Sequence, residues 1–228
     1  MTAQQPRAIL LDALGTLLAF EPPAPRLRAA LRERTGVDVG EEAARAAIGA
    51  EIVYYRAHLH EGRDAAALAD LRARCAAAMR PHVDAPDDVL LAALLDSLRF
   101  FAFPDAAPAL RALRAAGIAL VVVSNWDWSL HERLAETGLA PLVDGAIASA
   151  ELGAAKPDAA IFRAALAIAG AAPADAWHVG DTPEADVEGA RAAGLRPILI
   201  ARGGAPPAPP GVTVIESLAE LIPLAVAR

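Results

Sequence analysis

Three short, largely apolar blocks that each stop abruptly at a polar residue constrain this 228-residue chain more than any other feature. Ala8, Ile9, Leu10 and Leu11 run without a break into Asp12; Ile118 to Val123 run into Ser124; Trp177 to Gly180 run into Asp181. A continuous apolar strand needs cover on both faces, as inside a parallel sheet, whereas a strand with one wet face alternates. Helical patterns lie between the blocks. Residues 107–116 end at Gly117, and residues 184–193 end at Gly194 ahead of a fourth block, Pro197 to Ala201, with glycine serving as the usual C-terminal stop. Strand and helix in alternation imply right-handed crossovers and an α/β fold with a Rossmann-like, doubly wound parallel sheet. Ligands of such sheets bind beyond the C-terminal strand ends, so the polar tips at Asp12, Ser124 and Asp181 are expected to converge.

The alternation is interrupted once. Between Glu21 and Phe100 the strand signals vanish, and helices are predicted over about 24–34, 41–59, 63–80 and 86–99. Pro22, Pro23 and Pro25 at the entrance and Pro104 at the exit mark hinges, because proline continues neither a helix nor a central strand. The expected organisation is a core built from 1–19 and 103–228 and an inserted α-helical cap over 20–102. The proline-rich tail from Gly203 to Gly211 reads as a surface connection before a last short strand near 212–215 and a closing helix.

Composition narrows the partners. A formal charge of -7 and no basic cluster oppose nucleic-acid binding, which requires grouped cations to displace counterions. No stretch approaches the 18 or so uncharged apolar residues that span a bilayer, and the apolar run near the start is broken by Asp12 and Gly15, unlike a signal peptide. The single Cys75 has no partner for an internal disulfide. A cytoplasmic protein acting on a small-molecule substrate, with no membrane or nucleic-acid partner, is expected. Alanine-rich helices present the same pattern to solvent, core or a second subunit, so the oligomeric state stays open.

The strand tips carry the candidate chemistry. In LLDALGTLL, Asp12 faces the crevice, Gly15 lets the chain turn and Thr16 follows, although an Asp capping a turn has the same appearance. In VVVSN, Ser124 and Asn125 suit an anion at a strand-to-helix junction and equally suit an ordinary turn. Lys156, in ELGAAKPD, is the only lysine beside twenty arginines. A compact ammonium fits a crowded anionic site better than a planar guanidinium does. Pro157 is expected in the first turn of the following helix. In HVGDTPEAD, Asp181 and Asp186 flank a turn, and with Asp12 they would form a hard oxygen site suited to Mg²⁺, or simply cap a helix.

In this order, each after an apolar block, D-x-x-G-T, S-N, K-P and G-D-x4-D resemble the four motifs of the haloacid dehalogenase-like (HAD) hydrolase superfamily, in the branch with a helical cap inserted after the first motif. The resemblance covers about 1–19 and 103–228. It implies a phosphatase in which Asp12 attacks phosphorus to form an aspartyl phosphate. Mg²⁺ would be held by Asp12, the backbone carbonyl of Leu14, Asp181 and, directly or from behind, Asp186. Thr16, Ser124 and Lys156 would be catalytic contacts, with Gly15, Asn125 and Lys156 toward substrate. The position two after the nucleophile is commonly a second Asp that serves as general acid and base; here it is Leu14. Glu21, His58 and His60 are candidates to replace it, the two histidines being equally ordinary on an amphipathic helix. The same loss fits a 2-haloacid dehalogenase, where a halide departs without a proton and Tyr54, Tyr55, Arg56, Trp126 and Trp128 would line the site. A non-catalytic member that binds a phosphometabolite or a protein is a further alternative.

Overall fold

The computed structural model describes residues 5–203 and 210–226. In chain order the strands are β1 (Ala8–Leu11), β2 (Leu18–Phe20), β3 (Phe100–Ala102), β4 (Ala119–Ser124), β5 (Gly145–Ala148), β6 (Ala176–Gly180), β7 (Arg196–Ile200) and β8 (Thr213–Ile215). The helices are α1 (Pro23–Thr35), α2 (Glu41–His58), α3 (Ala65–Ala77), α4 (Asp87–Ser97), α5 (Ala106–Ala115), α6 (Leu130–Glu136), α7 (Ser149–Leu152), α8 (Ala159–Ala169), α9 (Gly189–Ala192) and α10 (Leu218–Val226). The chain divides into two compact units, one of Met1–Ala19 with Ala102–Arg228 and one of Phe20–Phe101.

The first unit is the α/β part. Among the described residues it holds a six-stranded parallel sheet in the order β5-β4-β1-β6-β7-β8. The apolar blocks dictate this placement: every residue of β1 is buried, and β4 and β6, also almost wholly buried, flank it. Leu10, Val121 and Val123 pack with Ile161, Phe162, Ala165 and Leu166 of α8 and with Ala190 of α9. Alternate residues face the other way, where α5 packs on β4 and α10 packs on α5. Register then fixes the tips. Leu11 pairs with both Val122 and Val179, so all three central strands stop within two residues of Asp12, Ser124 and Asp181.

The second unit is helical, α1–α4 packing around Leu27, Leu31, Leu71, Met79, Leu90 and Leu94. β2 and β3 pair with each other where the chain leaves and re-enters the first unit. Glu51 is buried on α2 beside Cys75, and burial pushes its carboxyl up to about 7 despite the thiol contact.

Three local differences from the sequence expectations have physical causes. β5, with the sequence GAIA, was not expected: three small residues around a single isoleucine give little periodic signal, yet they suffice for an edge strand. Residues 183–188 form a π-helical turn rather than the start of an α-helix, a wider winding often found at functional sites. Pro157 lies outside its helix, joined to Lys156 by a cis peptide; α8 begins at Ala159, with Asp158 accepting the Ala160 N–H as its cap. Most of the proline-rich tail, 204–209, lies outside the described residues.

An ion pair ties the first motif loop to the rest of its unit. Arg202 donates to the Thr16 carbonyl (2.8 Å) and to Asp105 (2.9 and 3.1 Å), and lies over the Phe103 ring. Asp105 also accepts from Ser217 Oγ (2.7 Å) and Leu218 N–H (2.8 Å) at the start of α10. Burial opposes ionisation of Asp105, but these donors outweigh it and hold the carboxyl below its ordinary range. Asp105→Ala should lower the unfolding free energy by about 1–3 kcal/mol, as expected for hydrogen bonds to a charge. Because the native pKa is the depressed one, the wild-type advantage is present at neutral pH and fades as pH falls below the usual carboxylate range. Urea unfolding of both proteins at pH 7 and pH 3 checks this.

Candidate active site

The β1 tip turns at once. The Ala13 carbonyl accepts the N–H groups of Thr16, Leu17 and Leu18, and Gly15 takes a φ of 84°. That conformation admits glycine readily, and a Cβ at Gly15 would collide with the Asp181 carboxylate. Gly180 has the same role opposite Asp186, whose carboxylate occupies the space of a side chain there. Two glycines therefore let two carboxylates approach the backbone closely.

Lys156 is the hub. Its ammonium donates to Asp12 Oδ1 and to Asp186 Oδ1, both at 2.6 Å, and all three side chains are almost completely buried. Ser124 Oγ donates to the same Asp12 oxygen at 3.0 Å. One carboxylate oxygen of Asp12 is thus held from two sides. Asp186 Oδ1 also meets His178 Nε2 at 2.9 Å, and its Oδ2 accepts the Thr182 N–H at 2.9 Å. Burial lowers the proton affinity of Lys156, yet Asp12 and Asp186 more than reverse this, so it stays an ammonium. Asp186 is held well below the usual carboxylate range, Lys156 and His178 outweighing its burial. Asp12 is pushed up, mainly by burial and also by Asp186, against the pull of Lys156. Asp181 is raised to about 6 by burial and by the charges of Asp12 and Asp186.

Ligand oxygens of Asp12, Asp181 and Asp186 lie within 4.8 Å of one another. Three carboxylates against one ammonium leave excess negative charge in a buried place, and the donors are hard oxygens. Together with the Gly15 cradle, this donor set fits a divalent cation such as Mg²⁺. Asp186 already takes three hydrogen bonds, which places it behind the other two.

The remaining predicted residues separate. Thr16 is fully buried in the same turn, its hydroxyl without a hydrogen-bond partner among the described residues, and Leu14 beside it is 39% exposed. Asn125, expected toward substrate, spends its amide on Lys156: Nδ2 donates to the Lys156 carbonyl (2.9 Å) and Oδ1 accepts its N–H (2.8 Å). Asn125 therefore aims the lysine. Trp126 and Asp127 are buried, with Trp126 Nε1 and Asp127 Oδ1 both bonded to Ser129 ahead of α6. Glu21 and His58 belong to the helical unit. There Glu21 pairs with Arg26 (2.9 Å), and His58 stacks on Tyr54 with Nδ1 2.8 Å from the Tyr54 carbonyl. His60 is exposed in the same unit. His178 was missed by sequence reasoning, since one histidine inside a buried strand looks like a core filler.

The sequence model of the haloacid dehalogenase-like hydrolase family matches residues 6–194. The chain belongs to that family. It is 40% identical over 112 residues to a phosphoserine phosphatase of Thermus thermophilus, an alignment that covers 49% of this chain and 45% of that protein. The chain thus spans about half the length of the curated relatives it matches. Among solved structures it resembles a HAD phosphatase from Thermococcus onnurineus (TM-score 0.67, 25% identity, 96% and 97% of the two chains). It resembles a 2-haloacid dehalogenase from Pseudomonas syringae pv. Tomato to the same degree (TM-score 0.67, 26% identity, 97% and 98%). No helix among the described residues is long and apolar enough to cross a membrane.

If this carboxylate cluster takes a cation, the raised Asp181 would set a pH limit on binding, because its proton must leave before the carboxylate can act as a ligand. Mg²⁺ affinity measured by calorimetry should weaken as pH falls through about 6, by up to about tenfold per unit for each ligand proton displaced, and Asp181→Asn should lose most of the affinity and flatten the part of the dependence centred there.

Proposed function

We propose that the chain is a magnesium-dependent phosphatase for a small phosphorylated metabolite, with Asp12 as the covalent nucleophile. The observation that carries the reading is the Lys156 hub with Asp181 beside it. Lys156 and Ser124 fix one oxygen of Asp12. The other oxygen is then available to attack phosphorus as the P–O ester bond breaks and the leaving oxygen takes the bonding pair. Water next attacks the phosphorus of the aspartyl phosphate, returning the carboxylate of Asp12 and releasing inorganic phosphate. The Lys156 ammonium and the Ser124 hydroxyl offset the charge that develops on the transferring oxygens. Bound Mg²⁺ would supply Lewis-acid charge that screens nucleophile from phosphate; Asp12, the Leu14 carbonyl, Asp181 and, from behind, Asp186 would hold it. The helical unit is assigned to substrate selection as a cap, and the buried Cys75, outside any disulfide, suits a cytoplasmic setting.

Leu14 determines what the leaving group must be. Its side chain neither gives nor takes a proton, so the reading favours acyl or aryl phosphates, whose leaving groups depart as stable anions. A positioned general acid usually contributes about 10²–10⁴-fold. Accordingly, kcat/KM should fall by that range from p-nitrophenyl to alkyl phosphates, and EDTA should abolish all turnover. A flat dependence on leaving-group pKa would mean that another donor substitutes for the missing Asp.

Leu14 equally favours the second reading, a 2-haloacid dehalogenase, since a halide needs no proton. Asp181 weighs against it, as carbon–halogen displacement has no use for a metal-binding carboxylate. Halide release from 2-haloacids that ignores EDTA would reverse the choice.

A further inference from the structure

His178 is fully buried in β6, in register with Leu10 of β1 on one side and Pro197 of β7 on the other. Its ring stands edge-on to Phe162 of α8, with centroids 5.1 Å apart and planes at 85°. A histidine in the middle of a buried strand is costly, and this one leaves Nδ1 without a hydrogen-bond partner among the described residues. Its other ring nitrogen, Nε2, meets Asp186 Oδ1, the oxygen that also receives Lys156. The contacts form a single chain: His178 to Asp186, Asp186 to Lys156, Lys156 to Asp12.

We propose that His178 is a positioning residue for the reaction of Asp12, acting through Asp186 and Lys156; the proposal rests on the phosphatase reading for its kinetic consequence but not for the linkage itself. With Nδ1 unpartnered, Nε2 carries the proton and donates it to Asp186. That donation, with the Thr182 N–H on the other oxygen, fixes the Asp186 carboxylate about its Cβ–Cγ bond. A fixed Asp186 holds the Lys156 ammonium at one point between two carboxylates. The ammonium in turn decides which oxygen of Asp12 is occupied and which is left for attack. An apolar residue at 178 would occupy the strand position without a donor, leaving Asp186 with Lys156 and the Thr182 N–H but without the second donor on Oδ1 that opposes the pull of Lys156. Misplacing a reacting group by even 1 Å can cost about 10²-fold in rate.

The test compares His178→Gln, whose amide nitrogen reaches the place of Nε2, with His178→Asn, one methylene shorter, and His178→Leu. With p-nitrophenyl phosphate and saturating Mg²⁺, Gln should retain at least about a third of kcat. Asn and Leu should lose about 10–100-fold in kcat with KM changed by less than about threefold. Because Lys156 is the only lysine, ¹³Cε-lysine labelling yields one side-chain NMR signal, read without substrate or metal. It should keep its position in the Gln variant and move or broaden in the Asn and Leu variants. If Leu fails to fold, the Gln and Asn pair decides alone. Equal kcat and an unmoved lysine signal in Asn and Gln would overturn the proposal. A wild type with no turnover, combined with a lysine signal that moves in Asn only, would sink the phosphatase reading while upholding the link from His178 to Lys156.

Discussion

The buried ammonium of Lys156 holds the site together. Removing an ammonium from water is tolerated only where carboxylates and hydrogen bonds surround it, and here Asp12 and Asp186 each accept a hydrogen bond from it, with N···O distances of 2.6 Å. Several neighbours serve that arrangement. Asn125 clamps the lysine backbone at both its N–H and its carbonyl, while Gly180 makes room for Asp186. Two carboxylates against one ammonium already leave a negative excess, which Asp181 deepens, and burial together with that excess raises the proton affinities of Asp12 and Asp181. A divalent cation, as proposed, would offset that excess.

Much of this was legible in the sequence because a parallel sheet turns linear patterns into positions. An apolar block that stops at a polar residue defines a strand end, and adjacent ends in register bring Asp12, Ser124 and Asp181 together. Lys156 was legible through its place in ELGAAKPD and through composition, one lysine among twenty arginines. The helical segments of the insertion were also legible, since proline and alanine-rich periodicity mark them clearly. What stayed hidden depends on side-chain direction rather than order. Asn125 looked like an anion ligand and turned inward to Lys156. His178 carried no signal, because nothing in AWHVG separates a core histidine from one aimed at a carboxylate eight residues later. The π-helical turn at 183–188, which brings Asp186 back under Gly180, has no distinct sequence pattern.

Fold and activity part company at Leu14. A phosphatase and a dehalogenase match the chain with the same TM-score, so architecture alone does not choose between them. The choice falls to the side chains at the strand tips. Leucine two residues beyond the nucleophile is compatible with either chemistry, and the third carboxylate favours phosphorus. In the proposed phosphatase, the attacking half of the mechanism rests on residues whose geometry is mutually consistent, while the proton-transfer half would be left to the leaving group.

Capture of the covalent intermediate tests the nucleophile itself. Protein mixed with acetyl phosphate and Mg²⁺ is quenched in acid within milliseconds, reduced with borohydride and digested, which converts an aspartyl phosphate to homoserine at its site. Mass spectrometry should find homoserine at position 12. Phosphate release without any reduced residue at position 12 would contradict a nucleophilic role for Asp12.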